Sequence, residues 1–140
     1  QVTREHIADG YAQAVVCNSG NANTCNANGI EIAEEMAKIG LMCLNNGGYN
    51  GKQIISSEWI TEMTRPRTVE SDHFRGMEYG YLWWIIDRKK NIYAAIGNSG
   101  NVIYINPEKN IVVAVAPYFK PTVFDRVDFI REYIEPFIFE

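Results

Sequence analysis

Between residues 79 and 116 the chain alternates short apolar runs with strong turn signals. The runs are rich in aromatic and β-branched side chains, which fit the half-buried surface of a sheet. They predict strands over residues 79–86, 92–96, 102–105 and 111–116. Because each connection is only a few residues long, neighbouring strands are expected to run antiparallel. The pattern predicts an antiparallel meander of about four to five strands, with an apolar run at residues 11–17 as a further strand that can pair with it.

A helix is predicted over residues 30–44, because its apolar side chains recur at helical spacing. The expected core face consists of Ile32, Met36, Ile39 and Cys43, widened by Ala33, Ala37, Leu41 and Leu44. Glu31, Glu34 and Glu35 fall in the early turns, where the helix dipole favours negative charge, and we expect a solvated face there. The Asn- and Gly-rich residues 45–48 are expected to cap and end the helix.

Two more helices are expected. A short one is capped by Ser56 or Ser57 and ends at Arg65-Pro66, since the residue before proline avoids helical dihedrals. A C-terminal helix begins near Thr122 and ends at Pro136. Its apolar stripe consists of Val123, Phe124, Val127, Ile130 and Ile134. Helices packed on an antiparallel meander define an α+β fold, which we expect to form a single domain over residues 1–140.

Composition excludes some classes of partner. Hydrophobic residues make up 46% of the 140 residues and charged residues 21%, as in globular domains. The net charge of −4 gives no general attraction for nucleic acids or anionic membranes. The basic run Arg88-Lys89-Lys90 is expected in a solvated hairpin turn. We expect no signal peptide and no transmembrane segment, and the start at Gln1 suggests a processed, truncated or engineered product.

No cofactor or metal site is expected. His6 and His73 are far apart in sequence and have no third ligand at metal spacing. The three cysteines, Cys17, Cys25 and Cys43, cannot all pair with one another and match no zinc pattern, so we expect buried free thiols.

The larger part of the chain resembles a known enzyme superfamily. Residues 36–56 read MAKIGLMCLNNGGYNGKQIIS and precede a helix that carries Trp59; residues 79–84 read YGYLWW, and residues 93–100 read YAAIGNSG. In this order and spacing, residues 36–140 resemble the C-terminal part of serine β-lactamase-like and penicillin-binding-protein-like hydrolases of the class C or esterase type. The resemblance implies a sheet whose late strands line the active-site cleft.

The first 36 residues resemble a different family. Residues 11–25 read YAQAVVCNSGNANTC, which resembles a signature of ornithine acetyltransferase (glutamate N-acetyltransferase) between a strand and a helix. The sequence of Glu34 to Ala37 suits the helices of both families. We therefore hypothesise a chimera joined inside that helix, with residues 1–36 from one source and residues 37–140 from the other; a natural fusion is the alternative.

Two of the three catalytic motifs of β-lactamase-like hydrolases are missing. Such hydrolases need a nucleophilic serine three residues before a lysine. The residues three before the six lysines are Glu35, Tyr49, Ile86, Asp87, Asn106 and Pro117. None of them is serine. Tyr104-Ile105-Asn106 matches the letters of the Tyr-x-Asn motif but falls after the third-motif position.

The resemblance places the third motif, a Lys-Thr-Gly or His-Ser/Gly-Gly triplet on a cleft-lining strand, at Asn98-Ser99-Gly100. Asn98 can donate and accept hydrogen bonds but carries no charge, which puts recognition of a β-lactam carboxylate in doubt. A plain Gly/Asn turn between two strands is the structural alternative.

Weaker candidates for substrate binding come from both segments. Asn26 and Ala27 stand where ornithine acetyltransferases have oxyanion-hole residues, commonly Thr-Gly, and the self-cleavage site of that family is absent. Tyr81 and Trp83 would share one face of the predicted strand 79–86, opposite Trp84, and one face of that strand is expected to line the cleft. Core packing is the alternative for them.

The sequence therefore predicts a chimeric or truncated scaffold derived from a serine hydrolase, without catalysis of its own. The alternative is a residual esterase or amidase that acts through Ser99 or with a partner chain. Because the parent fold's N-terminal strands and helix are missing, we also expect a homo-oligomer, with exchange of segments as one form. No nucleic-acid or membrane partner is expected.

Overall fold

The computed structural model of the protein describes residues 14–18, 29–69, 76–97, 100–116 and 125–137. Nine strands and three helices follow one another along these ranges. They are β1 (Ala14–Asn18), α1 (Gly29–Leu44), β2 (Gly48–Tyr49), β3 (Lys52–Gln53), α2 (Ser57–Met63), β4 (Thr68–Val69), β5 (Glu78–Tyr79), β6 (Trp84–Asp87), β7 (Ile92–Ile96), β8 (Val102–Asn106), β9 (Ile111–Ala116) and α3 (Asp125–Phe129). A π-helical turn, Ile130–Ile134, and a 3₁₀ turn, Glu135–Phe137, continue α3.

Seven strands form one sheet in the order β1-β9-β8-β7-β6-β5-β4, and β2 pairs with β3 in a separate ribbon. The strands from β4 to β9 run antiparallel to their neighbours, which confirms the predicted meander and the α+β class. Strand β1 joins the meander at its β9 edge, as expected for the early apolar run, and this pairing is parallel. The short strands β2, β3 and β4 were not predicted.

The sheet is the middle of three layers. On one face, α1 and α2 bury Cys43 and Ile60 against side chains such as Ile105 and Val112. On the other face, Ile130 of the C-terminal helical segment packs on a second cluster that includes Tyr104 and Val113. Because successive strand residues point to opposite faces, β8 and β9 contribute to both cores.

Helix α1 meets the sheet through its smallest side chains, not through the predicted stripe of large ones. The residues that it buries most deeply are Ala33, Ala37, Gly40 and Cys43. Ile32 and Ile39 are 39% and 47% exposed, so their assignment to the core face was wrong. The reason is the closeness of the helix to the sheet: a Cβ atom on Gly40 would lie 2.3 Å from Val112 Cγ1.

The predicted helix caps are confirmed. Helix α1 ends in a Schellman motif, in which the Gly47 N–H donates to the Met42 carbonyl (2.8 Å) and the Asn46 N–H to the Cys43 carbonyl (3.1 Å). Asn46 and Gly47 both adopt the left-handed backbone that this motif requires. At the start of α2, the Ser56 hydroxyl accepts a hydrogen bond from the Trp59 N–H at 3.1 Å.

The predicted single strand over residues 79–86 is wrong, because the strand is interrupted by a bend between β5 and β6. The Tyr81 N–H donates to the Met63 carbonyl at 2.9 Å, and Leu82 has a φ of 67°. Gly80 allows this approach, since a Cβ atom there would lie 2.3 Å from the Met63 oxygen. The bend lets Tyr79 and Trp84 pair across the two strands, with ring centroids 4.6 Å apart.

Proline 136 does not end the last helical segment, contrary to expectation. The Glu135 N–H donates to the Ile130 carbonyl, five residues earlier, and the chain then tightens into the 3₁₀ turn that contains Pro136. Near the start of such a turn the missing N–H of proline costs no hydrogen bond. The predicted cap at Thr122 and the side chains of Val123 and Phe124 lie outside the described residues.

The close contact of α1 with β9 predicts the effect of a mutation. Gly40→Val should lower the free energy of unfolding by about 2–3 kcal/mol, because the added side chain overlaps Val112 in a packed core. Ile39→Val, one position earlier on the exposed side of α1, should change it by less than about 0.5 kcal/mol. Urea unfolding followed by circular dichroism measures both values. Equal effects of the two variants would contradict the packing of α1 described above.

Candidate functional site

The described residues around the third-motif position, Gly97, Gly100 and Asn101, belong to the connection between β7 and β8. The Gly97 N–H donates to the Asn101 carbonyl at 2.9 Å, and the Gly100 N–H donates to the Gly97 carbonyl at 2.8 Å. Gly100 has a φ of +88°, a value that side-chain-bearing residues rarely adopt. Asn98 and Ser99 lie outside the described residues, so their candidate roles stay predictions.

Arg126, at the start of α3, covers this turn. Its Nη1 atom occupies the space where a Cβ atom of Gly100 would stand. The Nη1 atom is buried and has no hydrogen-bond partner among the described residues. A buried donor without a partner is costly, and because this atom is out of contact with solvent, it meets a ligand only when the side chain or the turn moves. Sequence reasoning missed Arg126, whose position beside Gly100 depends on the packing of the C-terminal helical segment on the sheet.

The two described residues on either side of the segment that resembles ornithine acetyltransferase are Asn18 and Gly29. Because β1 runs parallel to β9, Asn18 pairs with Ala116, the last residue of β9. The last residues of β9 lie beside the start of β8, and therefore at the end of the sheet where the Gly100 turn lies. Helix α1 also begins at this end, at Gly29. Asn26 and Ala27 lie outside the described residues, and their candidate role in substrate binding stays a prediction.

Tyr81 and Trp83 differ in their exposure, and their candidate role in substrate binding stays a prediction. Trp83 is 8% exposed and packs in the core, its ring edge-on to Tyr93 at 5.3 Å. Tyr81 is 47% exposed and stacks on Trp59 at 5.9 Å, with the Arg67 guanidinium 4.9 Å from its ring centre. The bend at Gly80 separates the two side chains. Trp83 is therefore a core residue, and Tyr81 belongs to an exposed aromatic cluster.

A buried polar cluster joins the sheet to the C-terminal helical segment. The Tyr104 hydroxyl and the Asn106 side-chain amide donate to Glu135 Oε1 at 2.7 and 2.6 Å, and Lys109 Nζ donates to the Glu135 carbonyl at 3.3 Å. Glu135 is 8% exposed and Asn106 1%. Burial, followed by the hydrogen bond to Glu135, raises the pKa of Tyr104 above its ordinary value. The hydrogen bonds to Glu135 give Tyr104 and Asn106 a structural role, the joining of β8 to the C-terminal helical segment.

Other predicted features can be located on the described residues. Arg88, Lys89 and Lys90 are exposed in the turn between β6 and β7, as expected. Cys43 is a buried free thiol, as predicted, and burial raises its pKa to about 11. The side chains of Cys17 and Cys25, and both histidines, lie outside the described residues. Within the described residues no group of side chains is arranged to hold a metal ion, and no helix is long and apolar enough to cross a membrane.

Comparison with known proteins finds two partial matches, one of them to the structure of a putative hydrolase. No family model matches it. An uncharacterized protein of Alkalihalophilus pseudofirmus is 31% identical over 96 residues, which cover 59% of this chain and 28% of that protein. The solved structure of a putative 6-aminohexanoate-dimer hydrolase from Bacillus anthracis has a TM-score of 0.56 and 26% identity, over 74% of this chain and 27% of that one.

The chain thus spans little more than a quarter of the length of either protein that it matches. The solved structure belongs to a serine β-lactamase-like hydrolase, so that part of the predicted resemblance is supported. Neither match provides support for the ornithine acetyltransferase segment or for a chimera.

The buried cluster around Glu135 predicts a loss of stability on mutation. Glu135→Ala leaves the Tyr104 hydroxyl and the Asn106 amide buried without their acceptor, and should cost about 2–4 kcal/mol of unfolding free energy. Glu132→Ala, which removes an exposed carboxylate from the same helical segment, serves as the control and should cost less than about 0.5 kcal/mol. Thermal and urea unfolding measure both. A Glu135→Ala protein as stable as its control would show that the cluster does not hold the segment in place.

Proposed function

We propose that this chain supplies the sheet-and-helix layer of a serine β-lactamase-like hydrolase and performs no hydrolysis by itself. The observation that carries the proposal is the match to the Bacillus anthracis hydrolase structure, which extends over 74% of this chain but only 27% of that one. A chain that corresponds to about a quarter of a hydrolase need not contain the whole of its active site.

The chemistry of the residues supports the same conclusion. Acyl transfer in this superfamily needs a serine nucleophile and a lysine one helical turn later that activates it. None of the six lysines in the 140 residues has a serine three positions before it. Without a nucleophile and its base, an enzyme of this kind loses nearly all of its acceleration, on the order of a million-fold in a well-studied serine protease. The missing groups would have to come from another segment or another chain.

The Gly100 turn is the place where this layer would meet a completed active site. The backbone turn brings Gly100 under the Arg126 guanidinium, which has a buried N–H without a partner among the described residues. This N–H is out of contact with solvent, so it reaches a carboxylate or a carbonyl oxygen of a substrate after the guanidinium or the turn moves. In the proposed division of roles, this chain contributes binding groups and a rigid wall, and the absent part contributes the nucleophile.

We also propose that residues 1–36 were joined to the hydrolase-like segment within α1. The structural observation behind the proposal is that β1 enters the sheet by the parallel pairing with β9, whereas all the pairings of the meander are antiparallel.

Covalent labelling tests the absence of catalysis. The folded protein is incubated with a fluorophosphonate and, separately, with a penicillin, and its intact mass is then measured. We expect no adduct, because the sequence contains no serine with the required lysine. An intact serine β-lactamase, labelled in parallel, verifies both reagents.

The competing hypothesis, a residual esterase or amidase that uses Ser99, makes the opposite prediction. It requires a stoichiometric adduct that Ser99→Ala abolishes and that Ser57→Ala, the matched control at an exposed serine, leaves unchanged. That result would overturn the proposed function.

We further propose that the protein self-associates. The last helical segment exposes Phe129, Tyr133 and Phe137, four residues apart and therefore on one side, and they are 50%, 61% and 73% exposed. Apolar side chains grouped in this way favour association. Light scattering should give a mass above 15.9 kDa that falls towards this value in Tyr133→Lys but not in Glu132→Lys. A compact monomer at high concentration would contradict the proposal.

A further inference from the structure

A cavity of about 320 Å³ opens at the end of the sheet opposite to the Gly100 turn. It lies between the last turn of α1, helix α2 and the turns that precede β7 and follow β8. Apolar side chains form part of its wall, together with the Cys43 thiol. These apolar side chains are Leu44, Ile60, Pro66, Ile85 and Pro107. The volume lies at the lower end of the range for small-molecule sites and suits a compact ligand of roughly ten non-hydrogen atoms.

A tyrosine lines this cavity and brings a hydrogen-bonding group to its wall. Tyr93 is only 2% exposed, and its ring is held edge-on by Trp83. Burial, and then the neighbouring Cys43, raises the pKa of Tyr93, so the hydroxyl stays protonated. A protonated phenol at a cavity wall can donate a hydrogen bond to an acceptor atom of a ligand.

The charged side chains that line the cavity are both cationic. They belong to Arg65 and Arg88, and none of the described lining residues carries a carboxylate. Each guanidinium makes an ion pair at 3.4 Å, Arg65 with Glu62 and Arg88 with Glu78. The two arginine side chains are 61% and 72% exposed, so these pairs contribute little and yield readily to a competing anion.

We propose that this cavity binds a small carboxylate that has an apolar body and a second polar group at its far end. The carboxylate is held at the mouth by Arg65 and Arg88, the body contacts the apolar wall, and the far group pairs with the Tyr93 hydroxyl. This site does not depend on the proposed role of the chain as a layer of a hydrolase. It lies at the other end of the sheet from the Gly100 turn and uses none of the residues of that turn.

Calorimetric titration of the whole chain with 4-hydroxybenzoate tests the proposal. We expect saturable binding, at least about ten-fold tighter than for the uncharged 4-hydroxybenzamide, because a charge-assisted contact is lost with the amide. Arg88→Gln should weaken 4-hydroxybenzoate binding by a similar factor. Lys89→Gln, the neighbouring cation that does not line the cavity, should leave it unchanged. Absence of binding, or equal effects of the two variants, would overturn the proposal.

Tyr93→Phe tests the inner end of the site, since it removes only the hydroxyl and keeps the ring that packs on Trp83. The wild-type protein should prefer 4-hydroxybenzoate over benzoate, and Tyr93→Phe should lose that preference while still binding benzoate. As a second readout, 4-hydroxybenzoate should slow alkylation of the cavity thiol in a Cys17→Ser, Cys25→Ser background. Unchanged alkylation in the presence of saturating ligand would place the binding elsewhere.

Discussion

The fold depends on the β8–β9 hairpin, because both other layers are built on it. All five residues of β8 are buried, and so are five of the six residues of β9. Val112 packs towards α1 and α2, whereas its neighbour Val113 packs towards the C-terminal helical segment. A hairpin covered on both faces has to be largely apolar, as these two strands are, and its buried polar residue, Asn106, is hydrogen-bonded to Glu135. Helices and outer strands then gain stability mainly from the surface that they cover on this hairpin.

The strands and turns were largely predictable, since the signals that define them are local. Strands β7 and β9 have the predicted bounds, and the Asn- and Gly-rich ends of α1 and of the hairpins form the expected turns. The core face of α1 was predictable in part, since Ala33, Ala37 and Cys43 were expected on it and are buried. Ile32 and Ile39 have the stronger hydrophobic signal, yet the face with Ala33 and Gly40 is the one buried. The distance between helix and sheet decides this, and that distance depends on residues such as Val112, far along the chain.

For the candidate site, the sequence predicted only which catalytic residues are absent. The absence of a serine three residues before a lysine can be read directly from neighbouring positions. In contrast, the hydrogen bond between Tyr104 and Glu135 joins residues 31 positions apart, and the contact of Arg126 with Gly100 also spans two distant segments. The sequence made Trp83 a candidate for the cleft because it does not reveal the bend at Gly80. That bend depends on a hydrogen bond to a carbonyl of α2. Contacts of this kind have no periodic pattern that a sequence reveals.

The parallel pairing of β1 with β9 has a consequence for the order of folding. Ala14 lies beside Val112, so this part of the sheet joins segments separated by most of the chain. The entropy lost on closing so long a loop has to be offset by contacts that form only at the end. On a ribosome, β1 emerges long before its partner strand, whereas the meander can form from neighbouring segments. During synthesis the early strand would remain unpaired, and its docking would be the late event that completes the sheet.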